Sequence, residues 1–285
     1  MNQTEIKKIL EERGLAPSKQ LGQNFLIQPG LAEKIINAAG ITADDQVIEL
    51  GVGLGALTRP LAAGAARVIG LEIDSGIIKY HRETQGLPAN VELRHQDLLH
   101  ADFTALAEEV GGRVKIIANL PYAITNPLLF KLVEQHRAVK QAVLMIQKEV
   151  ALRLTAKPST KDYGVLSVLL GTCATVQRLL EVGPANFYPR PKVDSVVIAI
   201  NFHERPVGLE NIDLALLRRV VDSAFGQRRK TLLNSLSAGG SLGLDRNRAA
   251  AVLAAAGIDQ RLRAENLSTA DFLRLSQAVA AQPKA

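Results

Sequence analysis

Short apolar runs alternate with segments of helical spacing through the first 150 residues of the chain. The runs are rich in Val and Ile, and each ends in turn residues before an amphipathic segment follows. Strands buried on both faces form continuous apolar runs, and intervening helices favour parallel pairing. The predicted strands are residues 47–51, 67–73, 91–96, 114–120 and 142–147. The pattern therefore predicts an α/β fold, a doubly wound Rossmann-like sheet.

The pattern changes in the last third of the chain. Stretches 173–182 and 195–202 resemble strands without a convincing helix between them, and we expect an antiparallel pair at the sheet edge. A turn-rich linker then ends near residue 205, and helical spacing follows. The apolar stripes are Leu214, Leu217, Val221 and Phe225, then Leu232, Leu233 and Leu236, then an Ala-rich helix over 248–256 that Gly257 ends. We predict one domain over 1–205 and a smaller all-helical domain over 206–285.

Composition narrows the class of protein. The chain has 285 residues, of which 47% are hydrophobic and 22% charged, which excludes disordered, collagen-like and disulfide-scaffold chains. No apolar run approaches the roughly 18 residues that cross a bilayer, and the N-terminus has a charged helical pattern rather than that of a signal peptide. The single cysteine, Cys173, lies in an apolar stretch and is expected to be core. We therefore expect a cytoplasmic protein, by default a monomer.

Positive charge is concentrated in the second predicted domain. The whole chain carries 34 basic and 28 acidic residues, a net charge of +6. Residues 1–205 hold 23 basic and 21 acidic residues, whereas residues 206–285 hold 11 and 7. This asymmetry favours a polyanionic partner, although an ordinary basic surface explains it equally well.

A glycine-rich loop follows the first strand of the predicted sheet. Residues 51–55 form the sequence GVGLG, in which Gly51 and Gly53 let the backbone approach a ligand closely, and a helical pattern starts at Ala56. Glu72 ends the next strand, where its carboxylate can accept hydrogen bonds from the vicinal hydroxyls of a ribose. Loop and carboxylate together favour an adenosine-containing cofactor over the alternative, tight packing of strand on helix.

The identity of the cofactor depends on the end of the fourth predicted strand. Gly51, Gly53 and Ala56 also satisfy the dinucleotide fingerprint, so an NAD-linked oxidoreductase is a rival interpretation. The fourth strand, however, ends in Asn119, Leu120, Pro121 and Tyr122. Pro121 keeps Leu120 extended, so that the Asn119 carboxamide and the Leu120 carbonyl can converge on one amino group. Tyr122 can stack on a planar ring, as methylation of an exocyclic base amine requires.

The sequence Asn119-Leu120-Pro121-Tyr122 resembles the fourth motif of the adenine-N6 methyltransferases. With four further stretches, SKQLGQNFL (18–26), EIDSGI (72–77), FYPRPKVDS (187–195) and FGQRRKTLLNSL (225–236), the chain resembles the bacterial small-subunit ribosomal RNA dimethyladenosine transferases. The long basic motif and a complete C-terminal domain are expected to separate it from the macrolide-resistance rRNA methyltransferases, which look similar up to the fourth motif.

The resemblance implies a function, a cofactor and a set of site residues. The function is dimethylation of the N6 atoms of two adjacent adenosines near the 3′ end of 16S rRNA in the small ribosomal subunit, with S-adenosylmethionine as methyl donor. A non-catalytic subunit assembly factor is the other alternative. The residues implied to line the cofactor site are Asn24, Leu26, Gly51, Glu72, Asp97 and Asn119, with Glu72 on the ribose and Asp97 on the adenine amino group.

Several candidate residues have a simpler structural interpretation. Asp97 can be a helix N-cap, and Phe187, which we expect to sandwich the target base with Tyr122, can be ordinary core. His95, Asp97 and His100 have spacing that mixes strand and loop, so no metal site is expected. The expected contacts to rRNA phosphates, each of which can also be a solvated surface charge, are Lys19, Arg190, Lys192, Arg228, Arg229 and Lys230.

Overall fold

The computed structural model describes residues 1–15, 17, 22–206, 208–209, 212–238 and 241–282. The chain divides into two compact units: Met1–Ala151 with Gln177–Phe202, and Leu152–Val176 with the chain from His203 onward. This division differs from the single predicted boundary after residue 205. The segment Leu152–Val176 joins the second unit because its helix packs against two helices of the C-terminal region.

The sheet and its covering helices belong mainly to the first unit. The strands are β1 (Phe25–Leu26), β2 (Gln46–Leu50), β3 (Arg67–Glu72), β4 (Val91–His95), β5 (Val114–Asn119), β6 (Val139–Gln147), β7 (Ala174–Val182), β8 (Phe187–Tyr188) and β9 (Ser195–Phe202). The helices up to the second unit are α1 (Gln3–Glu12), α2 (Pro29–Ala38), α3 (Thr58–Gly64), α4 (Ser75–Thr84), α5 (Phe103–Glu109), α6 (Thr125–Glu134) and α7 (Lys148–Leu154).

Seven strands form one sheet in the order β4-β3-β2-β5-β6-β9-β7. The pairs from β4 to β6 are parallel, and β9 joins β6 antiparallel. The predicted fold class and all five predicted strands are confirmed, with ends that shift by up to three residues. The two stretches expected as an edge pair are neighbours at one end of the sheet, where β9 lies beside β6 and β7 forms the edge. Strand order reverses between β2 and β5, where doubly wound sheets bind ligands.

The apolar runs are explained by burial of the sheet on both faces. Every residue of β5 except its last is buried, and all but the first residue of β2 are buried as well. The one lysine in β5, Lys115, donates from Nζ to the Asp45 carboxylate at 2.7 Å and to the Gly40 carbonyl at 2.8 Å. A charged side chain is thus accommodated inside an apolar strand because two acceptors satisfy it.

The N-terminal arm lies beside the glycine loop. Helix α1 begins with a reciprocal capping arrangement between Asn2 and Glu5, and it buries Ile6 and Leu10 against Phe25 and Leu54. A two-stranded antiparallel ribbon of β1 and β8 pairs Phe25 with Tyr188 and Leu26 with Phe187. The arm thereby fixes the segment that precedes α2.

The second unit is helical in its core. Its helices are α8 (Val165–Cys173), α9 (Leu214–Phe225), α10 (Leu232–Leu236), α11 (Arg246–Ala255) and α12 (Thr269–Ala280). The three predicted helices correspond to α9, α10 and α11, and Gly257 adopts a φ of 68° just after α11. The Phe225 and Phe272 rings stack with centroids 5.8 Å apart. Cys173 is fully buried, as expected. Among the described helices, none has the length and apolar character needed to span a bilayer.

Candidate functional site

A cavity of about 300 Å³ opens at the carboxyl ends of β2, β3, β4 and β5. Register places these ends side by side: Leu50 pairs with both Leu71 and Ala118, so that Gly51 follows next to Glu72 and Asn119. The predicted site residues that line the cavity are Asn24, Gly51, Gly53, Glu72, Asp97, Asn119, Leu120, Pro121, Tyr122 and Phe187. The fold thus brings together residues from six separate stretches of sequence.

The glycine loop faces the cavity with bare backbone. Gly51 and Gly53 have φ values of 78° and 52°, a backbone conformation that residues with a Cβ rarely adopt. No heavy atom lies within 4 Å of the position that a Cβ on Gly51 would take, so that this position is open space at the cavity wall. A ligand can therefore approach the loop backbone directly.

Glu72 holds the loop and keeps one acceptor position available. Its Oε2 accepts from the Gly53 N–H at 2.9 Å, and its Oε1 accepts from the N–H groups of Ile73 and Asp74, both at 2.9 Å. A carboxylate offers about four acceptor positions, and donors from the described residues use three of them. Burial raises the pKa of this carboxyl, and the backbone N–H groups oppose the rise. Glu72 is 6% exposed and lines the cavity, so the remaining position can serve a ligand hydroxyl.

Asp97 is both a cap and a cavity residue. One carboxylate oxygen accepts from the Leu99 N–H at 2.8 Å, at the start of the 3₁₀ helix Leu98–His100. The other lies 3.2 Å from His100 Nδ1. The N-cap role therefore uses one oxygen of the Asp97 carboxylate, and the residue also lines the cavity. Among the described residues, no three His, Cys, Asp or Glu side chains are grouped as metal ligands.

Asn119 is oriented by the N-terminal segment. Its Nδ2 donates to the Asn24 carbonyl at 3.0 Å, which fixes the carboxamide with its oxygen as the remaining polar atom. Within the parts of the chain that the structure describes, no donor reaches this oxygen. The next residue, Leu120, donates from its backbone N–H to the Met145 carbonyl at 3.2 Å and buries its side chain. The strand end is thereby held in place, and both Asn119 and Leu120 line the cavity.

The two aromatic candidates sit in different surroundings. Tyr122 is half-buried at the start of the 3₁₀ helix Tyr122–Ile124, with its hydroxyl 3.0 Å from Ser195 Oγ. Phe187 is only 4% exposed and packs in the core while also lining the cavity. The core interpretation of Phe187 is therefore compatible with the structure, and a stacking role stays a prediction.

One residue predicted for the cofactor site, Leu26, does not line the cavity. Leu26 is 2% exposed and packs its side chain into the hydrophobic core beneath α2, so it supports the ribbon with Phe187 and does not line the cavity. Lys19 lies outside the described residues.

The predicted phosphate contacts fall into two kinds. Arg190 and Lys192 are exposed in the turn between β8 and β9. In the second unit, the Arg228 guanidinium already has partners: one nitrogen donates to the Lys161 carbonyl at 2.7 Å, to the Tyr163 carbonyl at 3.2 Å and to Glu265 at 3.2 Å. Arg228 thus joins two segments of the second unit. Its neighbours in sequence, Arg229 and Lys230, are exposed. The basic motif therefore contains one arginine that makes hydrogen bonds within the second unit and two exposed charges.

Three polar residues near the cavity were not singled out from the sequence. Glu49 is buried inside β2, and burial raises the pKa of its carboxyl to about 8. His81 lies with Nε2 2.7 Å from the Gly53 carbonyl, and burial lowers the pKa of its imidazole. Ser195 contacts Tyr122. A charged residue within an otherwise apolar strand marks Glu49 in the sequence; His81 has no comparable signal because its contact depends on the fold.

Comparison with known proteins gives a consistent family. The model of the ribosomal RNA adenine dimethylase family matches residues 15–281. A ribosomal RNA small subunit methyltransferase A from Desulfotalea psychrophila is 48% identical over 274 residues, covering 94% of this chain and 92% of that protein. The protein of the same name from Magnetococcus marinus is 44% identical, covering 95% of both chains.

Solved structures show the same fold across the chain. A dimethyladenosine transferase from Plasmodium falciparum has a TM-score of 0.73 at 29% identity, covering 88% of this chain and 95% of that one. The 23S rRNA methyltransferase ErmE has a TM-score of 0.65 at 26% identity, covering 90% and 100%. The second match extends well beyond the fourth motif, so the presence of a C-terminal domain is common to both chains.

Proposed function

The chain belongs to the ribosomal RNA adenine dimethylase family, and from this premise we propose that it dimethylates N6 of two adjacent adenosines near the 3′ end of 16S rRNA in the small ribosomal subunit. The observation that carries the proposal is the strand end at Asn119 and Leu120, which lies at the same cavity as the glycine loop with the Asn119 carboxamide oriented by the Asn24 carbonyl. We also propose that the protein acts as a monomer in the cytoplasm, where ribosomes are assembled.

The cavity fits S-adenosylmethionine, the methyl donor that this chemistry requires. The bare backbone at Gly51 allows close approach of a ligand, and Glu72 retains an acceptor position for a ribose hydroxyl. We assign Asp97 to the adenine amino group of the cofactor, because it lines the cavity and, among the described residues, the partner of its second oxygen is the exposed His100 ring. When bound, S-adenosylmethionine would supply an electrophilic methyl group on a sulfonium, whose S–C bond breaks as the new N–C bond forms and leaves a neutral thioether.

Asn119 and Leu120 prepare the target nitrogen. The lone pair of an adenine amino group is delocalised into the ring, so the nitrogen is a poor nucleophile while the amine is planar. The Asn119 oxygen and the Leu120 carbonyl accept its two N–H bonds and turn the lone pair out of the ring plane. These acceptors stabilise the charge that develops as the N–C bond forms, an interaction that strengthens toward the transition state.

No strong general base is required for this step. The nitrogen becomes positively charged as the new bond forms, which makes its proton acidic enough to pass to water. Consistent with this requirement, Asn119 and Leu120 provide neutral acceptors. Tyr122 and Phe187 are proposed to sandwich the base, which offsets the cost of about a few kcal/mol for removing it from its stack.

Exposed basic residues are proposed to bind the rRNA backbone. Arg190 and Lys192 form one group beside the ribbon, and Arg229 and Lys230 form another in the second unit. Phosphate contacts of this kind position an enzyme on RNA without reading its bases, so selection of the adenosines falls to the cavity.

The two alternatives are not favoured. An NAD-linked oxidoreductase would leave Asn119, Leu120, Pro121 and Tyr122 without a role, and the family is a methyltransferase family. A non-catalytic assembly factor would not require an oriented carboxamide at Asn119 or a Glu72 carboxylate that lines the same cavity.

The test is methyl incorporation from labelled S-adenosylmethionine into small subunits that lack the dimethyladenosines, followed by mapping of the modified bases. We expect incorporation to approach four methyl groups per subunit on two adjacent adenosines. Asn119→Ala should lower the rate on the order of a hundredfold, because it removes an acceptor that acts in the transition state. The control is Asn37→Ala on the exposed face of α2, which should retain full activity. Tight subunit binding without incorporation by the unsubstituted chain would instead support an assembly factor.

A further inference from the structure

Ser195 has no role in the site as described so far, although it contacts a residue that does. It is the first residue of β9 and is 1% exposed. Its Oγ lies 3.0 Å from the hydroxyl of Tyr122, close enough for a hydrogen bond in either direction. Buried hydroxyl groups normally find such a partner, so the contact satisfies Ser195 while holding the far end of the Tyr122 side chain.

The backbone on both sides of this contact is fixed. Ser195 pairs with Gln147 in the sheet, and the preceding residue, Asp194, accepts from the Lys148 N–H at 3.0 Å. Near Tyr122, the Pro121 carbonyl accepts from the Ile124 N–H at 3.2 Å and from Thr125 Oγ1 at 3.3 Å. With both backbones held, the remaining freedom of Tyr122 is rotation of its side chain, which the hydroxyl contact restricts.

The second aromatic candidate is anchored by the same connection. Phe187 begins the stretch that ends at Ser195, and its backbone pairs with Leu26 in the ribbon. The segment from Phe187 to Ser195 therefore connects to both rings proposed to sandwich the base. Strand pairing with Leu26 holds Phe187 at its start, and the Ser195 hydroxyl at its end contacts the Tyr122 hydroxyl. Of these two contacts, the hydrogen bond between Tyr122 and Ser195 is the one that a substitution can remove without disturbing a strand.

We propose that Ser195 is a positioning residue for methyl transfer, which sets the angle of the Tyr122 ring against the target adenine through their hydroxyl contact. This inference rests on the proposed function. Stacking orients the base and the acceptors at the strand end act only on a correctly placed amine, so a freely rotating ring populates the reactive geometry less often. The loss should appear in kcat, because affinity for the subunit comes mainly from phosphate contacts.

A double-mutant cycle on unmethylated small subunits tests this role. Ser195→Ala and Tyr122→Phe each remove one hydroxyl of the same hydrogen bond and keep the phenyl ring. We expect each to lower kcat by about fivefold, the value of one ordinary hydrogen bond, with KM for the subunit and affinity for S-adenosylmethionine unchanged. The double variant should lose about the same fivefold, since the two residues act through one contact.

Matched controls separate the possible outcomes. Ser276→Ala removes an equally buried serine hydroxyl in the second unit, 2.8 Å from the Phe272 carbonyl, and should leave kcat unchanged. Losses that multiply in the double variant, full kcat in both single variants, or a loss confined to cofactor affinity would each overturn the proposal. An inactive unsubstituted chain would overturn the proposed function itself, a result that is distinct from any of these.

Discussion

The cavity at the sheet edge and the basic motif after α9 differ in how their polar groups are exposed and oriented. Around the cavity, polar groups are buried or half-buried and oriented by backbone partners: Glu72 by three N–H groups and Asn119 by the Asn24 carbonyl. In the basic motif, Arg229 and Lys230 are exposed, whereas the Arg228 guanidinium donates to the Lys161 carbonyl. The first region depends on fixed geometry, whereas the second depends on charge. Ionic strength should therefore distinguish the two, since it screens exposed charges much more than buried ones.

The largest effect on binding affinity is expected at Glu72. Glu72→Gln replaces an acceptor oxygen by an amide nitrogen that faces backbone N–H groups, so both the loop and the ribose contact are weakened. We expect affinity for S-adenosylmethionine to fall roughly thirtyfold, within the range for hydrogen bonds to a charged group. Calorimetric titration at low and high salt measures this directly.

The comparison requires that the Glu72 effect be independent of salt. Glu108→Gln, the same substitution at an exposed position of α5, is the control and should bind the cofactor normally. A Glu72→Gln defect that disappears at high salt would mean that Glu72 acts through long-range charge rather than through its hydrogen bonds.

The basic motif should show the opposite dependence. Arg229→Gln combined with Lys230→Gln removes two free charges, and we expect affinity for the small subunit to fall about tenfold at low salt. The slope of log affinity against log salt should become shallower by about 1.5, at roughly 0.7 to 0.9 per phosphate contact. Cofactor affinity should not change.

Arg228 makes this prediction sharper. Because its guanidinium joins the 161–163 segment to Glu265, Arg228→Gln should lower the melting temperature, while Arg229→Gln should not. Melting curves of the two single variants give the comparison. Equal melting temperatures, together with equal changes in salt dependence, would place Arg228 among the phosphate contacts instead.

The smallest effect concerns stability beneath the glycine loop. Burial raises the pKa of Glu49 to about 8 from an ordinary 4.5. The stability that this shift contributes is full below pH 4.5 and is lost as the pH rises toward about 8, because the unfolded chain ionises first. Glu49→Gln cannot ionise, so its melting temperature should exceed that of the unsubstituted chain by about several degrees at pH 9.

The pH dependence identifies the cause. The difference in melting temperature between Glu49→Gln and the unsubstituted chain should grow from pH 5 to pH 9, whereas Glu108→Gln should track the unsubstituted chain throughout. Parallel melting curves for Glu49→Gln across this range would show that Glu49 is ionised in the folded protein. The cavity region would then contain a buried carboxylate charge at Glu49.

Most of the sheet edge was predictable because parallel strands end together. Strands recognised from Val and Ile runs place Gly51, Glu72, Asp97 and Asn119 at one edge wherever the helices between them lie. The packing and hydrogen-bond partners of individual site residues were less predictable. Leu26 and Phe187 carry motif positions, yet their burial depends on the pairing of β1 with β8, two short strands far apart in sequence. Arg228 likewise looks equivalent to Arg229 until its partners from a distant segment are present.

The sequence by itself determined the α/β class, the order of strands and helices, the family resemblance and the residues of the cavity edge, because periodicity and turn residues are local properties of the chain. Tertiary structure alone decided that residues 152–176 join the second unit, that Arg228 is a structural tie and that Ser195 reaches Tyr122. Each of these depends on contacts between residues tens of positions apart, and such contacts are set by how buried surfaces pack rather than by local pattern.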